Sequence, residues 1–143
     1  MPKPLVVDAS FVFRLILPGP YQADLQLLVA GWLADGCEMQ APSLWVYEIT
    51  SALCKTVHFG QITAEEGEDA LALAQHLGVR SVAPSGELVQ SAFQWTRRLD
   101  RAAAYDNFYL ALAEGLQCAL WTADRRLCHA VDLPWVHLVG APS

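Results

Sequence analysis

With 143 residues, 54% of them apolar and 17% charged, the chain has the material for one domain with a real core and needs no disulfide or metal to hold it. A net charge of −6 argues against a protein that coats duplex nucleic acid, which requires a broad basic surface. No apolar run nears the ~20 residues that span a bilayer, and Met1-Pro2-Lys3-Pro4 carries no signal-peptide pattern, so a cytoplasmic protein with no membrane association is expected.

No repeat or linker interrupts the chain, so residues 1–143 are read as one domain. Leu5-Val6-Val7 predicts a buried strand, followed by a helix from Ser10 to Leu17 that stops at Pro18-Gly19-Pro20. Leu25, Leu28, Val29 and Trp32 give residues 21–34 a helical period, closed by Gly36. Glu38 to Ala41 is a short strand, and Ser43 is placed as N-cap of a helix reaching about Phe59. Thr63-Ala64-Glu65-Glu66 has the form of a capping box and opens a helix to Leu77; Glu65, Glu66, Glu68 and Asp69 in its first turns read as a solvated, dipole-complementing face. A strand over Val79 to Ala83, a helix capped by Ser85 through Arg98, and a helix over Ala104 to Leu116 follow. The chain closes with a strand over Cys118 to Trp121, a helix over Ala123 to Val131 and a strand over Trp135 to Val139. Such alternation predicts an α/β fold, a three-layer α/β/α sandwich on a mostly parallel five-stranded sheet, because parallel neighbours need crossovers.

The mean hydropathy of +0.27 is high for a lone soluble domain. A homodimer or partner is expected to cover part of the surplus, and Phe11, Phe13, Trp32 and Trp45 are either candidates for that face or simply buried within the single chain. Cys37, Cys54, Cys118 and Cys128 form no CxxC pair or zinc-like spacing and read as reduced, buried packing residues.

Of the fifteen acids, four stand apart. Asp8 directly follows the first strand, and Asp124 follows the fourth after Thr122-Ala123. In open parallel sheets the crevice lies beyond the carboxyl ends of the strands, so both side chains can reach one place. Asp106 precedes the apolar run from Phe108 to Leu116, and Glu48 lies within the apolar stretch from Leu44 to Leu53, where a buried charge needs compensation. Each has a plain alternative. Asp8 and Asp124 can be N-caps, Asp106 a first-turn dipole acid, and Glu48 a solvent-facing side chain. Together they offer the carboxylate oxygens that Mg²⁺ or Mn²⁺ prefers, with room for a phosphate. Other chemistries lack their residues. There is no GxGxxG, GxxxxGK[ST] or HExxH, Asp8-Ala9-Ser10 has no second acid, and no histidine has a Ser or Cys partner in a nucleophile-elbow context.

Val6-Val7-Asp8-Ala9-Ser10-Phe11, Val46-Tyr47-Glu48-Ile49-Thr50-Ser51-Ala52-Leu53, Tyr105-Asp106-Asn107-Phe108-Tyr109-Leu110-Ala111-Leu112-Ala113 and Trp121-Thr122-Ala123-Asp124-Arg125-Arg126-Leu127 resemble the PIN-domain family, most of all its bacterial VapC-type toxins. The resemblance runs through essentially the whole chain in order. It implies a parallel five-stranded sheet and endonucleolytic cleavage of RNA, with Asp8, Glu48, Asp106 and Asp124 holding Mg²⁺ or Mn²⁺. Ser10 and Thr122 would orient those acids or their waters. Asn107 stands where a small residue is common and adds an amide near the pocket, for the metal or substrate, or else facing solvent or serving the helix end. The family implies a homodimer silenced by an antitoxin. A stand-alone nuclease of RNA processing, or a silent partner-binding module, are the rival readings; four intact acids speak against the last. Basic residues are few, and no base-stacking aromatic pattern is assignable; Trp32, Trp45 and Trp95 read as core or interface.

Overall fold

The structure is a computed structural model and describes residues 2–101 and 103–139. Five strands, β1 (Lys3–Val7), β2 (Cys37–Pro42), β3 (Arg80–Val82), β4 (Leu120–Thr122) and β5 (Val136–Leu138), form one sheet in the order β3-β2-β1-β4-β5. Every pairing is parallel, Val6 lying opposite Gln40 on one side and Leu120 on the other. Leu5, Val6 and Val7 are buried on both faces, as an unbroken apolar strand at the centre of a parallel sheet must be.

Seven helices supply the crossovers: α1 (Ala9–Ile16), α2 (Gln22–Ala34), α3 (Leu44–His58), α4 (Ala64–His76), α5 (Gly86–Arg98), α6 (Asn107–Leu116) and α7 (Arg125–Val131). The first four pack on one another, while α5 and α6 form a separate pair, α6 lying against β1, β2 and β4. The chain moves outward from β1 to β3, then returns to the other side of β1 for β4. Right-handed crossovers therefore place their helices on opposite faces. The reversal makes the boundary between β1 and β4 the topological switch point, where the loops diverge and leave a crevice.

The expected elements are present, with adjustments at their ends. Thr63 and Glu66 make the capping box, and Ser85 accepts from Leu88 N–H. Ser43 occupies the cap position of α3 but does not cap it. It is already helical at φ −56°, which turns its hydroxyl away from the orphan amides, and its own N–H donates to Val82 C=O. The helix expected from Ala104 starts at Asn107, because 104–106 form a turn in which Asn107 N–H reaches Ala104 C=O.

Two expectations about burial need correction. Phe11 and Trp45 are core residues, and Trp32, half-buried, stacks on Phe11 at a ring distance of 5.5 Å and meets Trp121 at a tilt at 5.1 Å. Phe13 packs against the same core. Phe11 and Trp45 are therefore not interface residues, and Phe13 and Trp32 keep only part of their surface exposed. The cysteines are free thiols, but Cys54 is exposed and the other three only half-buried.

Candidate active site

Asp8 and Asp124 leave the carboxyl ends of β1 and β4 at the switch point, and both cap the helix that follows. Asp8 Oδ1 accepts from Phe11 N–H at 2.9 Å, and Asp124 Oδ1 accepts from Arg126 and Leu127 N–H at 2.9 and 3.4 Å. The cap reading and the site reading thus hold for the same atoms. A cap fixes a carboxylate's direction, which a binding site requires.

Ser10 and Thr122 join the two strand ends. Ser10 Oγ donates to Asp8 Oδ1 at 2.7 Å and accepts from Ala123 N–H. Thr122 Oγ1 donates to Asp8 Oδ2 and accepts from Asp124 N–H at 2.9 Å. Each hydroxyl has one proton and spends it on Asp8, so the 3.2 Å contact between Ser10 and Thr122 is a meeting of two committed oxygens. Asp8 is 7% exposed, and burial raises its pKa to about 6 against the pull of these hydrogen bonds and of Phe11.

Glu48 rises from the second turn of α3, half-buried, with Oε1 accepting from the Tyr109 hydroxyl at 2.6 Å. Burial raises its pKa and the Asp106 charge adds to the rise, while the tyrosine opposes it. Tyr109 is itself 2% exposed, and burial followed by its bond to Glu48 makes it a very weak acid, so it acts only as a donor. Asp106 sits at the cap position of α6 in helical conformation, makes no capping bond and is exposed. Burial, then the charge of Asp124, raises its pKa, with Arg101 pulling the other way.

The repulsions order the acids: Asp124 acts on Asp8 and on Asp106, and Asp106 acts on Glu48. Each acid is thus within electrostatic reach of the next, Glu48 and Asp106 lining one hollow and Asp106 and Asp124 the adjoining one. A closed cage is not preformed, however. Among the described residues, no three of the Asp, Glu, His and Cys side chains are arranged to hold an ion. Asp8 has both oxygens engaged, whereas Glu48 Oε2, Asp124 Oδ2 and the Asp106 carboxylate make no hydrogen bond among the described residues. Hard oxygens spread along these hollows still fit a small dication. Mg²⁺ keeps several waters and takes only one or two carboxylates directly.

Asn107 borders the hollow that Asp106 and Asp124 line, but it is buried and its amide nitrogen is bonded to a neighbouring helix. It is 2% exposed, and its Nδ2 donates at 2.9 Å to Thr96, whose own hydroxyl donates to Ala92 C=O. The amide ties the first turn of α6 to α5. Tyr109 was not singled out by sequence, where it reads as one more apolar position of α6; only the helix phase relative to α3 brings its hydroxyl to Glu48.

A parallel sheet of this order, with acids at the switch point and on the two helices beside it, is the architecture of the PIN domain, and the chain belongs to that family, matching it over residues 6–133. Ribonuclease VapC9 of Mycobacterium tuberculosis is 35% identical over 123 residues, spanning 86% of this chain and 87% of that one. Among solved structures, VapBC2 of Rickettsia felis, bound to a DNA fragment from its promoter, covers 94% of this chain and 98% of its own at a TM-score of 0.66 and 13% identity. VapC20 of Mycobacterium tuberculosis, a sarcin–ricin loop cleaving toxin, covers 88% and 94% at a TM-score of 0.65 and 17% identity. At such identities these structures speak for the fold alone.

Proposed function

We propose that this chain is a cytoplasmic endoribonuclease dependent on Mg²⁺ or Mn²⁺, the toxin of a toxin–antitoxin pair. The observation that carries the reading is the row of four acids, two of them oriented by caps and hydroxyls and one held by a buried tyrosine. The 35% identity to the ribonuclease VapC9 supports it, and the fold is shared with a toxin–antitoxin complex from Klebsiella pneumoniae that covers 93% of this chain at a TM-score of 0.63 and 12% identity.

A bound dication supplies an activated water and neutralises charge developing on the phosphoryl group. The protein's part is to hold and aim oxygens. Asp106, Asp124 and Glu48 would offer uncommitted oxygens to such an ion or its waters, while Asp8 is locked by Ser10, Thr122 and the Phe11 amide. Tyr109 keeps Glu48 from swinging into solvent, and Asn107 fixes the helix start that carries Asp106. The same row of carboxylates is a receptor for a guanidinium or ammonium group, which forms charge-assisted bonds to carboxylates. An antitoxin that placed a basic side chain there would silence the enzyme.

Asp106→Asn is the decisive variant, because the side chain caps nothing and its loss leaves every described hydrogen bond in place. The wild-type protein with Mn²⁺ is expected to create new internal ends in single-stranded RNA, chelator to abolish them, and Asp106→Asn to lower kcat/KM by more than the ~10–100-fold typical of losing a partner one step removed from a metal. Wild-type turnover in Asp106→Asn would overturn the assignment.

A further inference from the structure

Two hollows meet at Asp106. One, of about 770 Å³, is lined by Tyr47, Glu48, Ser51, Lys55 and Tyr105 as well as Asp106. The other, of about 290 Å³, is lined by Arg101, Asp106, Asn107, Asp124 and Arg126. They share Asp106 and Ala103 and so adjoin as one trough, with Glu48, Asp106 and Asp124 of the four acids on its walls. Residues three and four apart share a helix face, which is how α3 lines one wall with Tyr47, Glu48, Ser51 and Lys55. Tyr47 is 76% exposed and Tyr105 68%, so two aromatic faces stand open beside the acids without serving the core. The basic residues are distributed to match. Lys55 lines the larger hollow and Arg101 and Arg126 the smaller, so three of the nine lysines and arginines of an acidic chain line this trough, on either side of the shared Asp106.

We infer that Tyr47, Tyr105, Lys55 and the Arg101–Arg126 pair form the grip on an RNA strand lying along this trough, the tyrosines stacking bases and the cations holding phosphates on either side of the acids. The inference rests on the nuclease reading above and adds the residues that bind substrate. An acidic centre repels a polyanion, so a strand crossing it needs cations on both flanks, and these are where the trough has them. Stacking on an exposed tyrosine requires an unpaired base, since a duplex presents no open π-face except at its ends. A partner protein seated in the same trough is the competing occupant.

The test uses the full chain with Mn²⁺ and a fluorogenic single-stranded RNA of mixed sequence, with Tyr47→Leu, Tyr105→Leu, Lys55→Gln and Arg126→Gln compared for KM, kcat and salt dependence. All four positions are exposed, so thermal unfolding should match the wild type and exclude misfolding as a cause. Each tyrosine variant is expected to raise KM about tenfold, the loss associated with one stacked base, with kcat retained. Each cation variant is expected to reduce the slope of log KM against log salt by about 0.7, one phosphate contact to a single strand. Binding of labelled RNA to the same variants carrying Asp106→Asn should weaken in parallel. If the wild type cleaves RNA but the four variants keep its KM and salt slope, the inference fails while the nuclease reading stands. Variants that lose kcat instead, or that bind RNA normally and lose only an antitoxin, overturn it equally. A wild type that cleaves no RNA with any divalent cation sinks both.

Discussion

Asp8 carries its charge where water reaches it least. Its pKa rises from an ordinary 3.8 to about 6, burial outweighing two hydroxyls and a backbone amide that favour the ionised form. The folded protein thus keeps this proton up to about pH 6, while the unfolded chain releases it near 3.8. Between those values folding takes up a proton, so the group's contribution to stability is best below the window and declines as pH rises through it. By neutral pH the accumulated loss is ~3 kcal/mol at ~1.4 kcal/mol per pKa unit. Asp8→Asn is therefore expected to stabilise the metal-free protein at pH 7 by ~1–3 kcal/mol, the upper value reduced by rearrangement of the hydroxyl bonds, and to show little gain near pH 4. Thermal unfolding from pH 4 to pH 8 with chelator checks this; a variant less stable than wild type at pH 7 would show that the accepted hydrogen bonds outweigh burial. The cap roles of Asp8 and Asp124 were open to reading because a cap is local, fixed by the few residues after it. The roles of Asn107 and Tyr109 were not, since their partners Thr96 and Glu48 come from other helices.

Among the elements, the seam between α3 and α4 depends on a single missing methyl. Gly67 lies buried inside α4, and a Cβ there would stand 2.7 Å from Val57 Cγ2 on α3. A glycine within a helix costs roughly 1 kcal/mol relative to alanine, so the position gives up propensity for close approach. Gly67→Ala is expected to lose that propensity gain and more, for a net destabilisation of ~1–2 kcal/mol, because a β-branched valine cannot rotate out of the way. In Gly67→Ala combined with Val57→Ala, the clash is removed and the single-variant penalties should not add. Urea unfolding of the three variants measures the coupling; strict additivity would mean that the helices do not meet as described. The Thr63 and Glu66 box that opens the same helix was legible as a four-residue pattern. The glycine's purpose was not, since sequence alone gives no hint of what faces it.

For the molecule as a whole, the apolar surplus is real but lies elsewhere than the four aromatics first suggested. Phe11, Phe13, Trp32 and Trp45 serve the chain's own core, whereas Leu27 and Leu33 of α2 and Val89 and Phe93 of α5 are about half exposed or more. Val89 and Phe93 are four apart and share a face, which makes α5 a candidate partner surface. A homodimer at micromolar concentration is expected in sedimentation experiments, weakened by Phe93→Lys, a surface change that leaves the monomer's core untouched. Monomer alone at every concentration would assign the surplus to a different partner or to none. No described helix is long and apolar enough to cross a membrane.

What the sequence determined by itself is whatever depends on near neighbours or on composition. The strands and helices in order, the caps at Asp8, Thr63, Ser85 and Asp124, and the α/β class follow from periodicity and capping chemistry, which act within a few residues. The set of four acids was visible from their places after strands and within apolar stretches, and the resemblance matched the same four. The tertiary structure decided what those acids face. The return of β4 to the far side of β1 brings Asp124 beside Asp8, and the phase of α6 against α3 turns Tyr109 to Glu48. It also decided that Tyr47 and Tyr105 flank the acids while Trp45, two residues from Tyr47, is buried with its indole N–H donating to Ser81. Which aromatic side chains face the core and which the trough is set by how whole helices rotate onto the sheet, where burial summed over many residues outweighs the preference of any one.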